Sequence, residues 1–196
     1  MSKILIGCGV AVVGLVLVVV LMVSGIYNNL VGLEEGVDAA WGQVENVYQR
    51  RADLIPNLVA TVKGAADFEQ ETLQNVIEAR SKIGQMNIEG APTPEQMQAF
   101  QANQDALSSA LSRLLVVVER YPELKAVDAF RDLQVQLEGT ENRIAVERNR
   151  YNVAAQAFNT SRRRFPAVII ANMIGFGEKG YFESKPGADE PPVVEF

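Results

Sequence analysis

The sequence has no histidine and only one cysteine, Cys8, among its 196 residues. A disulfide within the chain is therefore impossible, and the commonest ligands of transition metals are missing. Catalytic sites built on histidine are excluded too, such as the Ser-His-Asp triad, the Cys-His pair and the HExxH zinc motif. Carboxylate pairs at helical spacing remain, for example Glu34 with Asp38 and Glu141 with Glu147, but such pairs usually form a solvated face. We therefore expect no catalytic residue, no metal site and no cofactor.

Positive charge is also scarce. The chain carries 18 Lys and Arg residues against 24 Asp and Glu residues, a net charge of −6 at pH 7. An acidic chain does not attract a polyanion, so nucleic acid is not expected as a partner. A local exception is the cluster Arg162–Arg164 near the C-terminus.

One long stretch lacks charge altogether. Ile4–Val23 is twenty uncharged residues, and at about 1.5 Å per helical residue it spans roughly 30 Å, the thickness of a bilayer core. A cleaved signal peptide would have a shorter apolar core, about 7–15 residues, and a small-residue cleavage site. The segment LIGC, Leu5–Cys8, is similar to a lipobox, but it lies at the start of the apolar run rather than after it. We therefore predict a transmembrane anchor over residues 1–25.

The charges that flank the span indicate its orientation. Lys3 lies on the N-terminal side, whereas Ser24–Gln43 contains no Lys or Arg and three acidic residues. The positive-inside rule then places the N-terminus in the cytoplasm and the rest of the chain outside it. Arg162–Arg164 would favour the opposite orientation if the cluster lies by the membrane, because anionic cytoplasmic lipid attracts such clusters.

After the span, apolar residues recur at helical spacing, which predicts four helices. The first continues from the span to about Lys63. Capping-box patterns open the next two, Asp67–Ile83 and Thr93–Tyr121, and a proline lies in the first turn of the fourth, Pro122–Arg164. The fourth helix keeps a strict seven-residue repeat, typical of a long helix in coiled-coil-like packing, through Phe130, Leu137, Ile144, Tyr151, Phe158 and Phe165.

Short connections between these helices favour an all-α fold in which the membrane helix continues into a long antiparallel four-helix bundle. The bundle domain covers residues 26–182, and a Pro-rich, mostly polar tail follows over residues 183–196. Because the second and third helices are short, the membrane-proximal base holds only the first and the fourth. Large apolar side chains would be uncovered there, at a cost of about 1.5–3 kcal/mol each, namely Leu30, Leu33 and Val37 opposite Phe158 and Phe165.

The stretch Phe165–Phe176 is twelve residues long, too short to span a membrane, and Pro166 ends the fourth helix. An antiparallel bundle returns this stretch to the membrane surface. Three interpretations remain open: packing against the base of the bundle, insertion into the membrane surface with the arginines against lipid phosphates, or contact with an oligomer or partner. The predicted contact residues are Leu30, Leu33, Val37, Phe158, Arg162, Arg163, Arg164, Phe165, Ile169, Ile170, Met173, Ile174 and Phe176.

Arg51 interrupts an apolar ladder of the first helix. A buried charge needs a partner, and antiparallel alignment of the first and fourth helices places Glu141 beside it. We predict a structural ion pair that fixes the register of the two helices, with an anion-binding site as the alternative. Pro56 follows in the same helix and would kink it unless the bundle accommodates the missing N–H. Asn57 could meet the carbonyl that Pro56 frees.

Three segments carry a family resemblance: Tyr27–Gly64, with the specific stretch RRADLIPNLVATVK; Asn149–Phe176; and the pair Tyr181-Phe182. In these segments the chain resembles the LemA family, a bacterial group with one N-terminal membrane helix and a helical-bundle domain. The family has no established activity, so the resemblance implies no catalytic residues. It implies membrane organisation or regulation, since family members are similar to a magnetosome-membrane protein and occur alongside membrane-bound zinc proteases. It also suggests an N-terminus outside the cytoplasm, opposite to the orientation that the charges indicate.

Together these observations predict a membrane-anchored, non-enzymatic scaffold or adaptor that self-assembles at the bacterial membrane. The alternative is a regulatory partner of a membrane protease or of an envelope-stress system. The expected location is the bacterial inner membrane, crossed once, with the domain in the periplasm. The expected partners are membrane lipids, further copies of the chain and another membrane protein.

Overall fold

The computed structural model describes residues 2–64, 69–125 and 127–183, and in these ranges the regular elements are helices, with no strand. The all-α class is therefore confirmed, while the closer description as a four-helix bundle stays a prediction. Apart from its first residue, Glu183, the predicted tail lies outside the described residues, as does the cap residue Asp67. The helices are α1 (Ser2–Lys63), α2 (Gln70–Gly84), α3 (Pro94–Val118), α4 (Pro122–Lys125), α5 (Asp128–Arg163) and α6 (Ala167–Ile174).

Helix α1 continues without a break from the apolar N-terminal stretch into the domain, as predicted. It is 62 residues long, or about 93 Å at the α-helical rise. Every side chain from Val10 to Val23 is exposed, and side chains begin to be buried at Leu30. Among the described residues, α1 is the helix that is long and apolar enough to cross a membrane. The apolar stretch and the core-forming half therefore belong to one continuous helix.

Helix α5 packs antiparallel to the domain half of α1. Three polar contacts follow one another along the pair and fix its register: Arg51 to Glu141 at 3.1 Å, Tyr48 to Arg148 at 2.7 Å and Asn29 to Ser161 at 3.1 Å. Helices α2 and α3 form a second antiparallel pair, joined near its two ends by Glu69 with Arg120 at 2.7 Å and Met86 with Asn103 at 3.0 Å.

The interior is divided into two apolar clusters along the long axis. The distal cluster, far from the apolar N-terminal stretch, is built by α1, α2, α3 and α5 around residues such as Leu58, Val76 and Leu114. The proximal cluster is built by α1, α3, α5, α6 and the segment after α6, around Trp41, Tyr151 and other aromatic residues. Arg51 lies between the two clusters.

Two helix ends differ from the sequence prediction. The expected single helix from Pro122 is divided into the short α4 and α5, and the turn between them lets Leu124 enter the distal cluster. Helix α5 is therefore 36 residues long, about 54 Å rather than about 64 Å. At its other end α5 stops at Arg163, so the last member of the seven-residue ladder, Phe165, leaves the core and is 81% exposed.

The capping box that opens α3 is confirmed. The Thr93 hydroxyl accepts a hydrogen bond from the Gln96 backbone N–H at 3.3 Å, and the Gln96 side chain accepts one from the Thr93 N–H at 3.0 Å. Reciprocal bonds of this kind satisfy two of the N–H groups that a helix start leaves free.

Pro56 is accommodated inside α1 by a neighbouring helix. Because proline has no N–H, the carbonyl of Ala52 lacks its usual intrahelical donor. Arg80 of α2 supplies the missing donor, with its Nε 3.0 Å from the Ala52 carbonyl oxygen. Arg80 thus fills the role that the sequence suggested for Asn57, whose own carbonyl accepts from Thr61 at 2.9 Å.

We predict that the contribution of Arg80 depends on Pro56. Arg80→Ala should lower the free energy of unfolding by about 0.5–1 kcal/mol in the parent chain, because a carbonyl loses its donor. The cost should be smaller in a Pro56→Ala background, where a backbone N–H again reaches the Ala52 carbonyl. A double-mutant cycle measured by urea denaturation in mild detergent tests this coupling. Equal costs in the two backgrounds would contradict it.

Candidate membrane-proximal interaction site

The base of the domain is covered by the chain itself. After α6, residues Gly175–Glu183 run back along the bundle without regular secondary structure; we call this segment the strap. Helix α6 and the strap bring Ile170, Ala171 and Phe176 against the base, where Leu30, Val37 and Phe158 are fully buried and Leu33 is half-buried. The four predicted helices alone would leave these residues bare, and α6 and the strap cover them, which corresponds to the first of the three interpretations, packing against the base of the bundle.

Three side-chain amides form hydrogen bonds to the backbone of the strap, in the way that the backbone of a neighbouring β-strand would. An amide side chain offers one carbonyl acceptor and an NH₂ donor, so it can pair with both the N–H and the C=O of one residue. Each of three such pairs is complete, with both bonds between 2.8 and 3.1 Å: Asn159 with Lys179, Asn152 with Phe182, and Gln101 with Glu183.

Gly180 lies at the closest approach of the strap to the bundle. Its N–H donates to the Pro92 carbonyl at 2.9 Å, and its carbonyl accepts from the Tyr151 hydroxyl at 3.0 Å. Burial raises the pKa of the Tyr151 hydroxyl, so this donor stays protonated at neutral pH. A Cβ at position 180 would lie 2.6 Å from the Met97 Cβ, which no side chain tolerates. Glycine is therefore required here for space.

Phe182 anchors the end of the strap in the proximal cluster. Its ring centroid lies 5.6 Å from that of Tyr151 and 6.3 Å from that of Trp41. The Arg148 guanidinium covers the same ring at 4.8 Å, close enough for a cation–π interaction. The sequence showed Tyr181-Phe182 as part of the family resemblance but assigned it no structural role. The sequence feature that could have indicated the strap is Asn159, a polar residue directly after Phe158 of the apolar ladder, because the structure buries it against the strap.

We predict that the strap loses its fixed position when Asn159 is changed. Asn159→Leu leaves the Lys179 N–H and C=O without partners, which should cost about 1–3 kcal/mol and speed hydrogen exchange at the strap amides. Asn149→Leu is the matched control, because Asn149 is exposed on the same helix and should change stability by less than about 0.5 kcal/mol. Exchange followed by mass spectrometry distinguishes the two. Similar exchange in both variants would contradict the assigned role of Asn159.

Arg51 is buried, and both of its terminal nitrogens donate hydrogen bonds to protein groups. It donates to Glu141 at 3.1 Å, to Ser108 at 3.0 Å and to the side-chain carbonyl of Gln104 at 2.5 Å. Burial lowers the pKa of Arg51, and the charge of Glu141 opposes this effect. The structure thus contains the Arg51–Glu141 pair expected from the sequence, although Glu141 itself is 62% exposed. These bonds join α1, α3 and α5 at one level, which favours a structural role over an anion site.

Arg51→Leu should keep the helical circular-dichroism spectrum but lower the free energy of unfolding by about 1–3 kcal/mol, because the buried Gln104 side chain loses its donor. Glu141→Gln should cost less than about 1 kcal/mol, since an exposed ion pair is weak. Thermal denaturation and the size of the detergent-extracted particle measure the two effects. If Arg51→Leu altered neither stability nor size, the register-fixing role would be wrong.

The carboxylates that the sequence suggested as pairs are engaged in structural contacts. In the described ranges, no group of three or more possible metal ligands is found. Each of the four carboxylates has a partner: Glu34 with Lys179 at 2.8 Å, Asp38 with the Ala91 N–H at 2.8 Å, Glu141 with Arg51 at 3.1 Å, and Glu147 with Arg150 at 2.7 Å.

The predicted contact residues of the arginine cluster and α6 divide into an inner and an outer set. Arg162 belongs to the inner set, because its Nε donates to the Phe176 carbonyl at 2.6 Å and so secures the strap. Ile170 and Phe176 belong to it as well and are buried, whereas Arg162 is partly exposed. The outer set is exposed and consists of Arg163, Arg164, Phe165, Ile169, Met173 and Ile174. Only the outer set is available to lipid or to another protein.

Comparison with known proteins places this helical architecture in a family. The LemA family model matches residues 40–196, most of the chain. The chain belongs to the LemA family. The match includes Arg51, the amides that hold the strap, and the strap itself, so the resemblance seen in the sequence is confirmed.

Curated relatives of this LemA-family chain include magnetosome proteins. It is 28% identical over 186 residues to magnetosome protein MamQ 2 of Paramagnetospirillum magneticum, and 26% identical over 186 residues to magnetosome protein MamQ of Magnetospirillum gryphiswaldense. Each match covers 86% of this chain and 68% of the relative. It is also 22% identical over 157 residues to protein LemA of Metamycoplasma hominis, covering 80% of this chain and 68% of that protein.

Proposed function

We propose that this LemA-family chain is a membrane-anchored, non-enzymatic helical scaffold or adaptor that self-assembles at the bacterial inner membrane. In this proposal it crosses the membrane once and holds its domain on the periplasmic side. The apolar N-terminal part of α1 and the similarity to proteins named for the magnetosome support a membrane protein. The fixed roles of the four paired carboxylates support a non-enzymatic function.

The observation that carries the proposal is the continuity of α1. One helix leads from the exposed stretch Val10–Val23 into the buried ladder that begins at Leu30. Because α1 has no hinge, the domain cannot shift along the helix axis or rotate about it independently of the apolar stretch. A domain held at a fixed distance from its membrane anchor can position other molecules at a membrane.

A face of α1 with small residues supports self-assembly. Gly25, Gly32, Gly36 and Ala39 are all exposed, and at 100° per residue they lie on the side of α1 that faces away from the core. An added Cβ at any of the three glycines would meet no atom within 4 Å. Small residues spaced in this way leave room for the backbone of a second helix to approach α1 closely. A second copy of α1 fits such a face.

Native mass spectrometry of the complex extracted gently from native membranes tests the proposal. We expect a uniform assembly of this chain alone, and we expect Gly32→Leu with Gly36→Leu to dissociate it by adding bulk at the contact. Gly139→Leu is the matched control, because Gly139 is exposed on α5 with no atom near its Cβ position. A monomer would overturn self-assembly. A second protein in constant ratio would instead support the regulatory partner of a membrane protease.

A further inference from the structure

A groove lies where the apolar stretch of α1 meets the corner between α5 and α6. It has a volume of about 370 Å³ and is lined on the α1 side by Leu21, Met22 and Ile26. Phe165 and Pro166 form the opposite wall, and Arg164 lies at its edge. The groove therefore has mainly apolar walls, two polar residues, Asn29 and Ser161, and one cationic margin.

The height of the groove relative to a bilayer is fixed by α1. A bilayer core takes up about twenty helical residues, so Leu21 and Met22 lie at its boundary when Ile4–Val23 fills it. Since α1 is continuous through this region, the corner cannot move away from that boundary without breaking the helix. Phe165 and Pro166, which line the same groove, must lie at the level where acyl chains meet headgroups.

The outer surface beside the groove is apolar and uncovered by the chain. Phe165 and Met173 are each 81% exposed, and Ile169 and Ile174 are about half exposed. Burial of each such side chain is worth about 1.5–3 kcal/mol, so a surface of this kind favours contact with an apolar phase. At the bilayer boundary the acyl chains of the lipids provide such an apolar phase.

The charge at the groove is complementary to lipid phosphate. Arg163 and Arg164 are exposed, and within the described part of the chain neither guanidinium has a hydrogen-bond or ion-pair partner. Arg162, in contrast, is engaged with the Phe176 carbonyl and lies 3.9 Å from Glu178. Arg164 lines the groove and Arg163 precedes it in the chain. Guanidinium binds phosphate oxygens in bidentate fashion, so this pair matches a phosphate with attached acyl chains.

We propose that this groove binds an anionic phospholipid. The phosphate lies against Arg163 and Arg164, one acyl chain follows Leu21 and Met22, and α6 rests in the interface. This inference goes beyond the scaffold function: it holds for a monomer as well as for an assembly, and its tests read lipid contact rather than assembly size.

The first experiment measures which lipids the full chain retains. The chain is reconstituted in nanodiscs of phosphatidylcholine mixed with phosphatidylglycerol, released in the mass spectrometer, and its bound lipids are identified. We expect phosphatidylglycerol to be enriched, and Arg163→Gln with Arg164→Gln to reduce the enrichment by roughly 5- to 30-fold, since each basic residue near an anionic surface contributes about a factor of five.

The matched control for charge is Arg50→Gln with Arg143→Gln. Both arginines are exposed on the domain, and the pair removes the same two charges far from the groove. The control should keep the enrichment. An equal loss in the control would show a general charge effect and overturn the proposal, as would an unaltered preference in the Arg163 and Arg164 variant.

The second experiment measures depth. In a Cys8→Ala background, a nitroxide label is attached through Met173→Cys or, as control, through Val153→Cys, because both native side chains are exposed. In liposomes we expect the label at 173 to collide more with oxygen than with a polar nickel chelate, and the label at 153 to show the reverse. An aqueous response at 173 would overturn the proposal. Shielding from both reagents would indicate a protein interface and overturn it too.

Discussion

Because α1 stays helical from the apolar N-terminal stretch to Lys63, the elements that pack on it are held at fixed distances from that stretch. Helix α5 takes its height from the polar contacts along α1, and α6 takes its height from α5. The groove at the α5–α6 corner therefore has a fixed position along α1, because α1 continues as a helix before and after the residues that line it. A flexible link after Val23 would leave the distance between the apolar stretch and the domain variable.

Polar contacts in the interior decide which arrangement is adopted, while apolar burial supplies most of the free energy. The seven-residue repeat of α5 does not by itself choose between registers that differ by one heptad. Arg51 distinguishes between them, since its bonds to Glu141, Gln104 and Ser108 are satisfied at one register. The amide pairs of Asn152 and Asn159 do the same for the strap.

The features that the sequence predicted well depend on local or periodic patterns. The ladder from Phe130 to Phe158 is buried as its seven-residue repeat requires, and the antiparallel alignment that it implied brings Arg51 beside Glu141. The strap was missed, because its bonds join residues that are far apart in sequence and Asn152 looks like an ordinary solvated residue. Phe165 failed as a core residue for a related reason: periodicity does not show where a helix stops. The donor for the Ala52 carbonyl also comes from a distant residue, Arg80, which no local pattern indicates.

The strap carries the chain away from the apolar end of α1 after α5 has returned it there. Phe165 lines the same groove as Leu21 and Met22, but Glu183 is bonded to Gln101, next to Phe100, whose ring centroid lies 5.0 Å from that of Trp41. Trp41 lies about 27 Å along α1 from Val23 at the helical rise. A molecule that contacts Glu183 therefore meets the chain about 27 Å along α1 from the end of the apolar stretch, on the flank of the domain, too far from a bilayer that ends at Val23 to contact its lipids at the same time.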